Sequence, residues 1–462
     1  MRTALVLVAA FTIAAPAHAS EATPRARHHP QLAAIARAVS PRSLREIDAK
    51  LVGFGTRSSL SDTTSDTRGI GAARRWVKSR FEAISQDCHG CLDVVTPSQV
   101  FTGKRTPPQG VEIMDVVAIQ RGTTDPDRVI VITGHLDSRR SDVMDATGDA
   151  PGANDDASGV SALVECARVL SKYKFPATIV YSADSGEEQG LYGARVIAQY
   201  AVDHGWKVEA DLNNDIVGNP VGGDGQRDPH SVRVFAEGTK SNETLEQAKY
   251  RRYHGGEVDS PSRNLARYMQ ALAAQYLGDF RVRMVYRTDR YGRGGDQTEF
   301  LAQGYPAVRV TESHEDYRHQ HQDIRTENGV FYGDTIEHVD FDYLANVTRL
   351  DAITIASLAN APAPPGGVET KGEVAYDTTV SWRAVPGAAR YTAWWRDTTA
   401  PQWQHARDAG RATSIVLKGV NIDDWFFGVS AASADGWESP VVFPGDAGSF
   451  ERSPPRADKA AD

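Results

Sequence analysis

The chain has 462 residues, of which 40% are hydrophobic and 24% are charged, a composition that is typical of a globular protein and excludes collagen, a coiled coil and wholesale disorder. The formal net charge is -9 at pH 7 and no Lys- or Arg-rich stretch opposes it, which excludes a nucleic-acid-binding role. We therefore expect the partner to be a small molecule or another protein.

The N-terminus carries the pattern of an export signal. Arg2 supplies a positive charge, an apolar stretch follows it, and Ala17, His18 and Ala19 form a small-x-small cleavage site. This pattern predicts that residues 1–19 are removed and that the protein is secreted or periplasmic. No later run reaches the roughly 18 apolar residues that a spanning helix needs, so we expect no membrane span.

Cysteine is used sparingly, with three residues in the chain. Cys88 and Cys91 have a spacing that fits half of a zinc site, a redox pair or a disulfide that closes a small loop. We favour the disulfide because no second pair of this spacing completes a four-cysteine zinc site. Cys166 falls on the apolar side of a predicted helix and is expected to be a small core residue.

Helical signals begin near Ser43, and strand and helix patterns alternate from about residue 128 onward. Continuous apolar runs predict strands at 128–133, 177–182, 208–213 and 306–311. Apolar residues at three- and four-residue steps predict helices at 160–170, 190–201 and 265–276. This alternation predicts an α/β fold with a mostly parallel central sheet flanked by helices, in which ligands bind beyond the carboxyl ends of the strands.

A Pro- and Gly-rich stretch at 360–367 predicts a linker, and the pattern changes beyond it. Short alternating runs typical of a small all-β sandwich occur at 378–382, 391–395, 413–417 and 425–431. Residues 368–450 resemble a fibronectin type III module in Trp382 and in the closing run 434–440, with Trp425 standing where that family has its corner tyrosine. We expect this sandwich to contact a surface or a polymer.

Carboxylates and imidazoles follow each of the predicted strands. In chain order they are His135 and Asp137, Asp155, Glu187 and Glu188, Asp215, and the late histidines His319 and His321. Each motif alone is weak evidence, but their coincidence at successive strand ends indicates a metal site. One imidazole with carboxylates suits zinc, and a carboxylate shared by two sites suits a pair of ions about 3.5–4 Å apart.

In these motifs the sequence, from 51 to 358, resembles the M28 family of zinc-dependent exopeptidases, whose best-known members are aminopeptidases. The resemblance implies two Zn²⁺ ions per chain, bridged by Asp155, and the ligands His135, Asp155, Glu188, Asp215 and His321. We favour His321 over His319 on the family pattern, because both lie on one face if the segment is extended. The resemblance also implies a cis peptide bond between Asp155 and Asp156.

The chemistry of peptide hydrolysis accounts for these residue types. The reaction needs a nucleophilic water, a Lewis acid on the scissile carbonyl and a proton carrier for the leaving amine. The resemblance implies that Glu187 is the general base. Asp137 is expected to orient His135 by accepting its other N–H, and the glycines at 292–295 are predicted to form a loop that lines the pocket.

The residues 20–359 are thus predicted to form an M28-like zinc peptidase domain, most simply an exported binuclear aminopeptidase that acts on peptides. Alternatives within the family are a dipeptidase or carboxypeptidase, or a glutaminyl cyclase with one zinc ion. An alternative from another class is a catalytically silent binding protein, which would have no need of a complete metal site. No nucleophile elbow, Walker loop or dinucleotide-binding loop follows a predicted strand, so serine-hydrolase and nucleotide-binding chemistry lack their parts.

Overall fold

The computed structural model describes residues 27–453, and the predicted export signal at 1–19 lies outside them. The helices are α1 (Pro30–Ala38), α2 (Pro41–Val52), α3 (Gly69–Asp87), α4 (Ser158–Leu170), α5 (Glu187–Gly190), α6 (Tyr192–Asp203), α7 (Leu245–His254), α8 (Pro261–Tyr276), α9 (Gln297–Ala302) and α10 (Phe341–Asn360). The strands up to residue 332 are β1 (Asp93–Val95), β2 (Ser98–Phe101), β3 (Val111–Met114), β4 (Val116–Gln120), β5 (Asp125–His135), β6 (Ala177–Asp184), β7 (Lys207–Asn214), β8 (Ser231–Phe235), β9 (Arg281–Val285), β10 (Ala307–Thr311), β11 (Arg325–Glu327) and β12 (Val330–Tyr332). The later strands are β13 (Glu369–Lys371), β14 (Thr378–Ser381), β15 (Arg390–Asp397), β16 (His405–Gly410), β17 (Ser414–Leu417) and β18 (Trp425–Ala432).

An eight-stranded sheet forms the centre of the fold, with the strand order β1-β4-β6-β5-β7-β10-β8-β9. The four central strands β6, β5, β7 and β10 are parallel to one another. Antiparallel pairings occur nearer the edges, where β4 meets β6 and where β8 meets β10. The predicted α/β fold with a mostly parallel central sheet is therefore confirmed.

The central strands are buried on both faces because helices cover both sides of the sheet. Along β5, Ile130 and Ile132 join the larger apolar core, whereas Val129 and Val131 join the smaller core on the opposite face. Helices α4 and α10 contribute to the larger core, and α6 and α9 contribute to the smaller one. A strand with apolar partners on both faces must be apolar at every position. This is the continuous apolar run from which the strand was predicted.

The start of α4 lies directly against the end of β5. A Cβ atom added to Gly134 would lie 2.8 Å from the carbonyl carbon of Gly159, so a side chain cannot fit between the two backbones. The first turn of α4 is thereby held at the carboxyl end of the central strand.

The three cysteines lie in two different settings. Cys88 and Cys91 form a disulfide directly after α3, which confirms the pairing predicted from their spacing. Cys166 is a free, buried thiol in the larger core, where a small apolar residue was expected.

The C-terminal strands form two three-stranded antiparallel sheets, with the orders β13-β14-β17 and β16-β15-β18. A third apolar core includes residues of both sheets, among them Val380, Trp395, Leu417 and Phe427. The assignment of this region to the fibronectin type III family stays a prediction, as does the division of the chain into domains at 360–367.

Buried polar contacts join the C-terminal strands to the α/β region. Arg396 of β15 donates to both carboxylate oxygens of Asp259, at 2.9 and 2.8 Å, and Arg267 of α8 donates to one of them at 2.8 Å. The side chains of all three residues are at most 3% exposed. The buried carboxylate of Asp259 therefore pairs with one guanidinium from the α/β region and with one from the C-terminal strands.

No helix within residues 27–453 combines the length and the apolar character that crossing a bilayer requires.

Removal of the Asp259 carboxylate should destabilise the protein. In the variant Asp259→Ala, two buried guanidinium groups lose their carboxylate, and we expect the free energy of unfolding to fall by about 3–5 kcal/mol in a urea titration. The variant Glu46→Ala is the control, because it breaks an ion pair with Arg42 whose side chains are 88% and 63% exposed. Equal unfolding midpoints for the two variants would contradict this account of the contact.

Candidate metal centre

The residues predicted to bind metal all lie at one edge of the central sheet. They are His135 at the end of β5, Asp155 in the turn Ala153–Ala157 before α4, Glu188 at the start of α5, Asp215 directly after β7, and His321 in the segment after β10. Because β6, β5, β7 and β10 run parallel, their carboxyl ends meet at this edge. Five separate stretches of sequence thereby converge on one place.

A first group of candidate metal ligands consists of His135, Asp155 and Asp215, all of them buried. The His135 Nε2 atom lies 3.0 Å from Asp155 Oδ1 and 3.9 Å from Asp215 Oδ1. The ligand atoms of the group lie within 4.8 Å of one another, which is close enough for all three to reach a single ion.

A second group shares Asp155 with the first and adds Glu188 and His321. The His321 Nε2 atom lies 3.0 Å from Asp155 Oδ2 and 3.2 Å from Glu188 Oε1. The two oxygens of Asp155 thus face different groups, Oδ1 toward His135 and Oδ2 toward His321. This is the arrangement that a bridging carboxylate needs.

The donor set and its spacing fit zinc. Two ligand atoms at about 2.0–2.2 Å from a tetrahedral ion lie about 3.3–3.6 Å apart, close to the separations of 3.0–3.9 Å within the two groups. Burial lowers the pKa of His321, but the carboxylates of Glu188 and Asp155 outweigh it and raise this pKa to about 10. The cluster thus attracts positive charge, and a metal ion would take the place of the imidazole proton.

The structure separates the two late histidines. Residues Tyr317–His319 form a helical turn and His321 has a positive φ of 53°, so the segment is not extended and the two imidazole rings lie apart. The His319 ring stacks on His338 at 3.5 Å and its Nδ1 lies 3.0 Å from the Gly333 carbonyl oxygen. Of the two histidines, it is His321 that joins the metal-ligand groups.

Asp137 contacts the candidate ligands differently from what the sequence predicts. The Nδ1 atom of His135 lies 3.0 Å from the backbone carbonyl oxygen of Asp137, whereas the nearer carboxylate oxygen is 3.7 Å away. The carboxylate instead accepts the amide N–H groups of Glu187 and Glu188, both at 3.2 Å. Because α5 begins at Glu187, a carboxylate at its N-terminus is favourably placed to satisfy these amides.

Arg309, which the sequence analysis missed, fixes the orientation of Asp215. Its guanidinium is fully buried in β10 and donates to Asp215 Oδ2 at 2.5 Å. The other oxygen of Asp215 is thereby left toward His135. A charged residue inside an otherwise apolar strand is the signal that could have found it, because a buried charge requires a partner.

Two further aspartates hold the backbone around the shared carboxylate. Asp334 follows β12 and its two oxygens accept the amides of Asn154 and Asp155, at 2.8 and 2.7 Å. Burial raises the pKa of Asp334 to about 7 despite these hydrogen bonds. Asp156 accepts the amides of His135 and Gly159, both at 3.0 Å, and the Asp155–Asp156 peptide bond is cis, as the family resemblance implies.

Glu187 and Glu188 diverge although they are adjacent. Glu188 belongs to the second ligand group, whereas Glu187 belongs to neither group and lines the cavity beside them. Burial and the neighbouring Glu188 carboxylate raise the pKa of Glu187 to about 8, against the opposing effect of His135. A carboxylate with a raised pKa that faces an open cavity is suited to accept and return a proton.

Loss of the Asp334 carboxylate should weaken metal binding without removing a ligand. In Asp334→Ala the amides of Asn154 and Asp155 lose their acceptor, and we expect zinc affinity, measured by competition with a chromophoric chelator, to fall about 10- to 100-fold. Glu337→Ala is the control, since Glu337 is an exposed residue of the same segment. Unchanged zinc affinity in Asp334→Ala would contradict a positioning role for this carboxylate.

Comparison with known proteins gives three related findings. A model of peptidase family M28 matches residues 115–328. A relative from Leptosphaeria maculans, named as a probable zinc metalloprotease, is 44% identical over 417 residues, which are 90% of this chain and 96% of that protein. A relative of the same name from Pyrenophora teres f. teres is 44% identical over 419 residues, covering 90% of this chain and 86% of that protein.

Two solved structures share the fold at lower identity. LapB from Legionella pneumophila superposes with a TM-score of 0.52 at 18% identity, covering 73% of this chain and 78% of that chain. The LapA aminopeptidase of the same organism gives a TM-score of 0.50 at 20% identity, covering 77% of this chain and 80% of that chain. At these identities the likeness concerns the fold alone, and the assignment depends on the closer relatives. The chain therefore belongs to peptidase family M28 and to its zinc metalloproteases.

Proposed function

We propose that this protein is an aminopeptidase that uses two zinc ions to hydrolyse the N-terminal peptide bond of peptides. The observation that carries the proposal is the shared position of Asp155 in two metal-ligand groups, with Glu187 free at the same cavity. A single-ion site would not need a carboxylate with one oxygen facing each group. A binding surface would not need a free carboxylate beside them.

The chain supplies a separate set of ligands for each proposed ion. One ion would be held by His135, Asp155 and Asp215, and the other by Asp155, Glu188 and His321. When bound, the two ions would supply a Lewis acid for the scissile carbonyl and a water of lowered pKa. The protein's own part is to keep these ligands in place, through Arg309, Asp334 and Asp156.

Glu187 is the proposed general base. It would take the proton of the attacking water and return it to the departing nitrogen, which completes the exchange of one water for one peptide bond. Asp156 is a poor alternative because both of its oxygens already accept backbone amides, from His135, Gly159 and Ile216. Asp137 acts as a positioning residue, since it accepts the amide of Glu187 itself.

The size of the cavity supports action at a chain end. Its volume is about 360 Å³, at the small end of the range for ligand pockets. A cavity of this size fits the terminal residue of a peptide better than a length of extended chain. We therefore favour an exopeptidase over an endopeptidase.

We also propose that the protein is exported and that its C-terminal strands form a fibronectin type III-like module. The Cys88–Cys91 disulfide supports export, because such bonds persist in oxidising compartments. The two small antiparallel sheets with a shared apolar core support the second proposal. The role of such a module would be contact with a surface or a polymeric substrate.

Replacement of Glu187 by Gln should separate catalysis from metal binding. The amide keeps the shape of the side chain but cannot accept a proton, so we expect kcat to fall by roughly 10² to 10⁴ with an unchanged zinc content. Glu188→Gln is the matched comparison, and we expect it to lower zinc occupancy, since its carboxylate belongs to a ligand group. A Glu187→Gln enzyme with two zinc ions and near-normal kcat would show that the base is another residue.

The requirement for a free amine tests the proposed activity itself. We expect release of the N-terminal residue from free peptides and from free aminoacyl fluorogenic substrates, and no release after N-acetylation. Removal of the C-terminal residue from an acetylated peptide would indicate a carboxypeptidase instead. Conversion of N-terminal glutamine to pyroglutamate would indicate a cyclase, and inertness of the zinc-loaded protein toward every substrate would indicate a binding protein.

A further inference from the structure

The cavity beside the metal-ligand groups has a strongly cationic wall. Besides Glu187 and four of the five candidate ligands, all but His135, the cavity is lined by four arginines, Arg105, Arg139, Arg290 and Arg293. Guanidinium groups bind carboxylates through paired N–H donors, so their presence around a substrate cavity bears on which substrates enter it.

Two of these arginines lie next to Glu188. The Nη1 atom of Arg105 donates to the backbone carbonyl oxygen of Glu188 at 3.0 Å, and Arg139 Nη1 lies 3.7 Å from Glu188 Oε2. Within residues 27–453, no carboxylate lies within 4 Å of the Arg105 guanidinium, so its charge is not neutralised there. The hydrogen bond to the Glu188 carbonyl oxygen therefore holds Arg105 in place, and its positive charge is available to a ligand.

The other two arginines come from the glycine-containing loop between β9 and α9. Arg290 Nε lies 3.0 Å from Asp289 Oδ1, and Arg293 Nη1 lies 3.1 Å from Glu315 Oε2. Glu315 also pairs with Arg233 at 2.8 Å and lies 3.5 Å from Arg290. Two carboxylates, Asp289 and Glu315, thus serve the three guanidinium groups of Arg233, Arg290 and Arg293, which leaves one positive charge in excess at the cavity wall.

The same loop is anchored to the sheet. Gln297 accepts the side-chain N–H of Asn213 at 2.9 Å and donates to Asp289 Oδ2 at 2.7 Å. Arg290 also donates to the carbonyl oxygen of Gly294 at 3.2 Å. These contacts hold the arginine-bearing loop in place before a ligand arrives, which reduces the entropy lost on binding.

The charge balance of the cavity favours an anionic ligand. Two divalent ions carry the same total charge, with opposite sign, as the four cavity-lining carboxylates, which are Asp155, Glu187, Glu188 and Asp215. Asp289 and Glu315 offset Arg290 and Arg293, so the charges of Arg105 and Arg139 remain in excess once metal is bound. Arg139 and Arg290 are half-buried at the cavity wall, whereas Arg105 and Arg293 are exposed at its rim. A half-buried cation next to a substrate discriminates more strongly than an exposed one when the substrate supplies the opposite charge.

We infer that this cavity selects peptides that carry a carboxylate within one residue of the scissile bond. The inference rests on the proposed function, because it names the substrate class of that site. Two groups supply this chemistry, the acidic side chain of an N-terminal Asp or Glu and the C-terminal carboxylate of a dipeptide. In both cases the arginines hold the carboxylate while the adjacent peptide bond lies at the metal-ligand groups.

A binding experiment distinguishes the two sources without relying on turnover. The zinc-loaded Glu187→Gln protein is titrated in a calorimeter with glutamate α-amide, glutamine and glutamine α-amide, which carry a side-chain carboxylate, an α-carboxylate and neither. We expect at least tenfold tighter binding of glutamate α-amide or of glutamine than of glutamine α-amide, and the tighter ligand identifies the source. Equal affinity for all three would overturn the inference.

Variants separate the arginines from the metal, which can itself bind a carboxylate. In the same background, we expect Arg105→Gln or Arg293→Gln to reduce the carboxylate preference at least fivefold. Lys104→Gln and Arg287→Gln are matched controls, because they remove a charge from exposed neighbours that do not line the cavity. A preference that survives both arginine substitutions would overturn the inference, since the carboxylate would then be bound by the metal.

The inference and the proposed function fail differently. If the wild-type enzyme releases neutral residues while the three ligands bind equally, the aminopeptidase assignment stands and the carboxylate selectivity is wrong. If it releases no residue from any free peptide while a carboxylate ligand binds tightly through the arginines, the selectivity stands and the aminopeptidase assignment is wrong.

Discussion

The carboxylate of Asp155 is the point at which the two metal-ligand groups meet, and its position depends on the parts of the fold around it. Burial would raise its pKa, but hydrogen bonds with the imidazoles of His135 and His321 hold the pKa well below its usual range. A charged carboxylate with one oxygen toward each imidazole is suited to bridge two cations. Its backbone amide is in turn held by Asp334, which the hairpin β11–β12 returns to the edge of the sheet.

The parallel arrangement of the central strands brings the remaining residues to this carboxylate. His135 ends β5, Glu188 lies four residues past β6 and Asp215 directly follows β7. Neighbouring parallel strands end at the same edge, which brings these side chains together. A charged residue also lies behind one of the ligands. Arg309 donates to the oxygen of Asp215 that faces away from His135. The site therefore combines a cluster of carboxylates with cations that limit the directions in which their oxygens are available. The arginines of the cavity wall would pair with a carboxylate of the substrate in the same way.

Much of the sheet could be predicted from the sequence, because a strand buried on both faces is apolar at every position, as 128–133 is. Helix α1 was not predicted, because its nine residues are too few for a strong local signal and its apolar residues Leu32, Ile35 and Ala36 are fixed by distant contacts in the larger core. One of these is the stacking of His29 on Trp437, with ring centroids 3.6 Å apart. The packing of α1 against α10 and its neighbours, rather than the helix propensity of its residues, stabilises this short helix.

The positions of the predicted strands indicated a metal site and the family resemblance implied its ligands, but neither predicted the contacts behind them. The carboxylate of Asp137 caps α5 instead of approaching His135, since the turn after β5 directs its carbonyl oxygen to the imidazole. The positive φ of His321, which separates it from His319, is likewise invisible in an alternating pattern. Such details depend on the tertiary structure around one residue and not on spacing.

Anomalous diffraction at the zinc edge, from crystals of the zinc-loaded protein, tests the central claim most directly. The account predicts two peaks about 3.5–4 Å apart, with Asp155 Oδ1 at one ion and Oδ2 at the other. His135 and Asp215 should complete the first site, and Glu188 and His321 the second. A single peak at full zinc occupancy, or two peaks of which only one contacts Asp155, would contradict a binuclear centre built on this carboxylate.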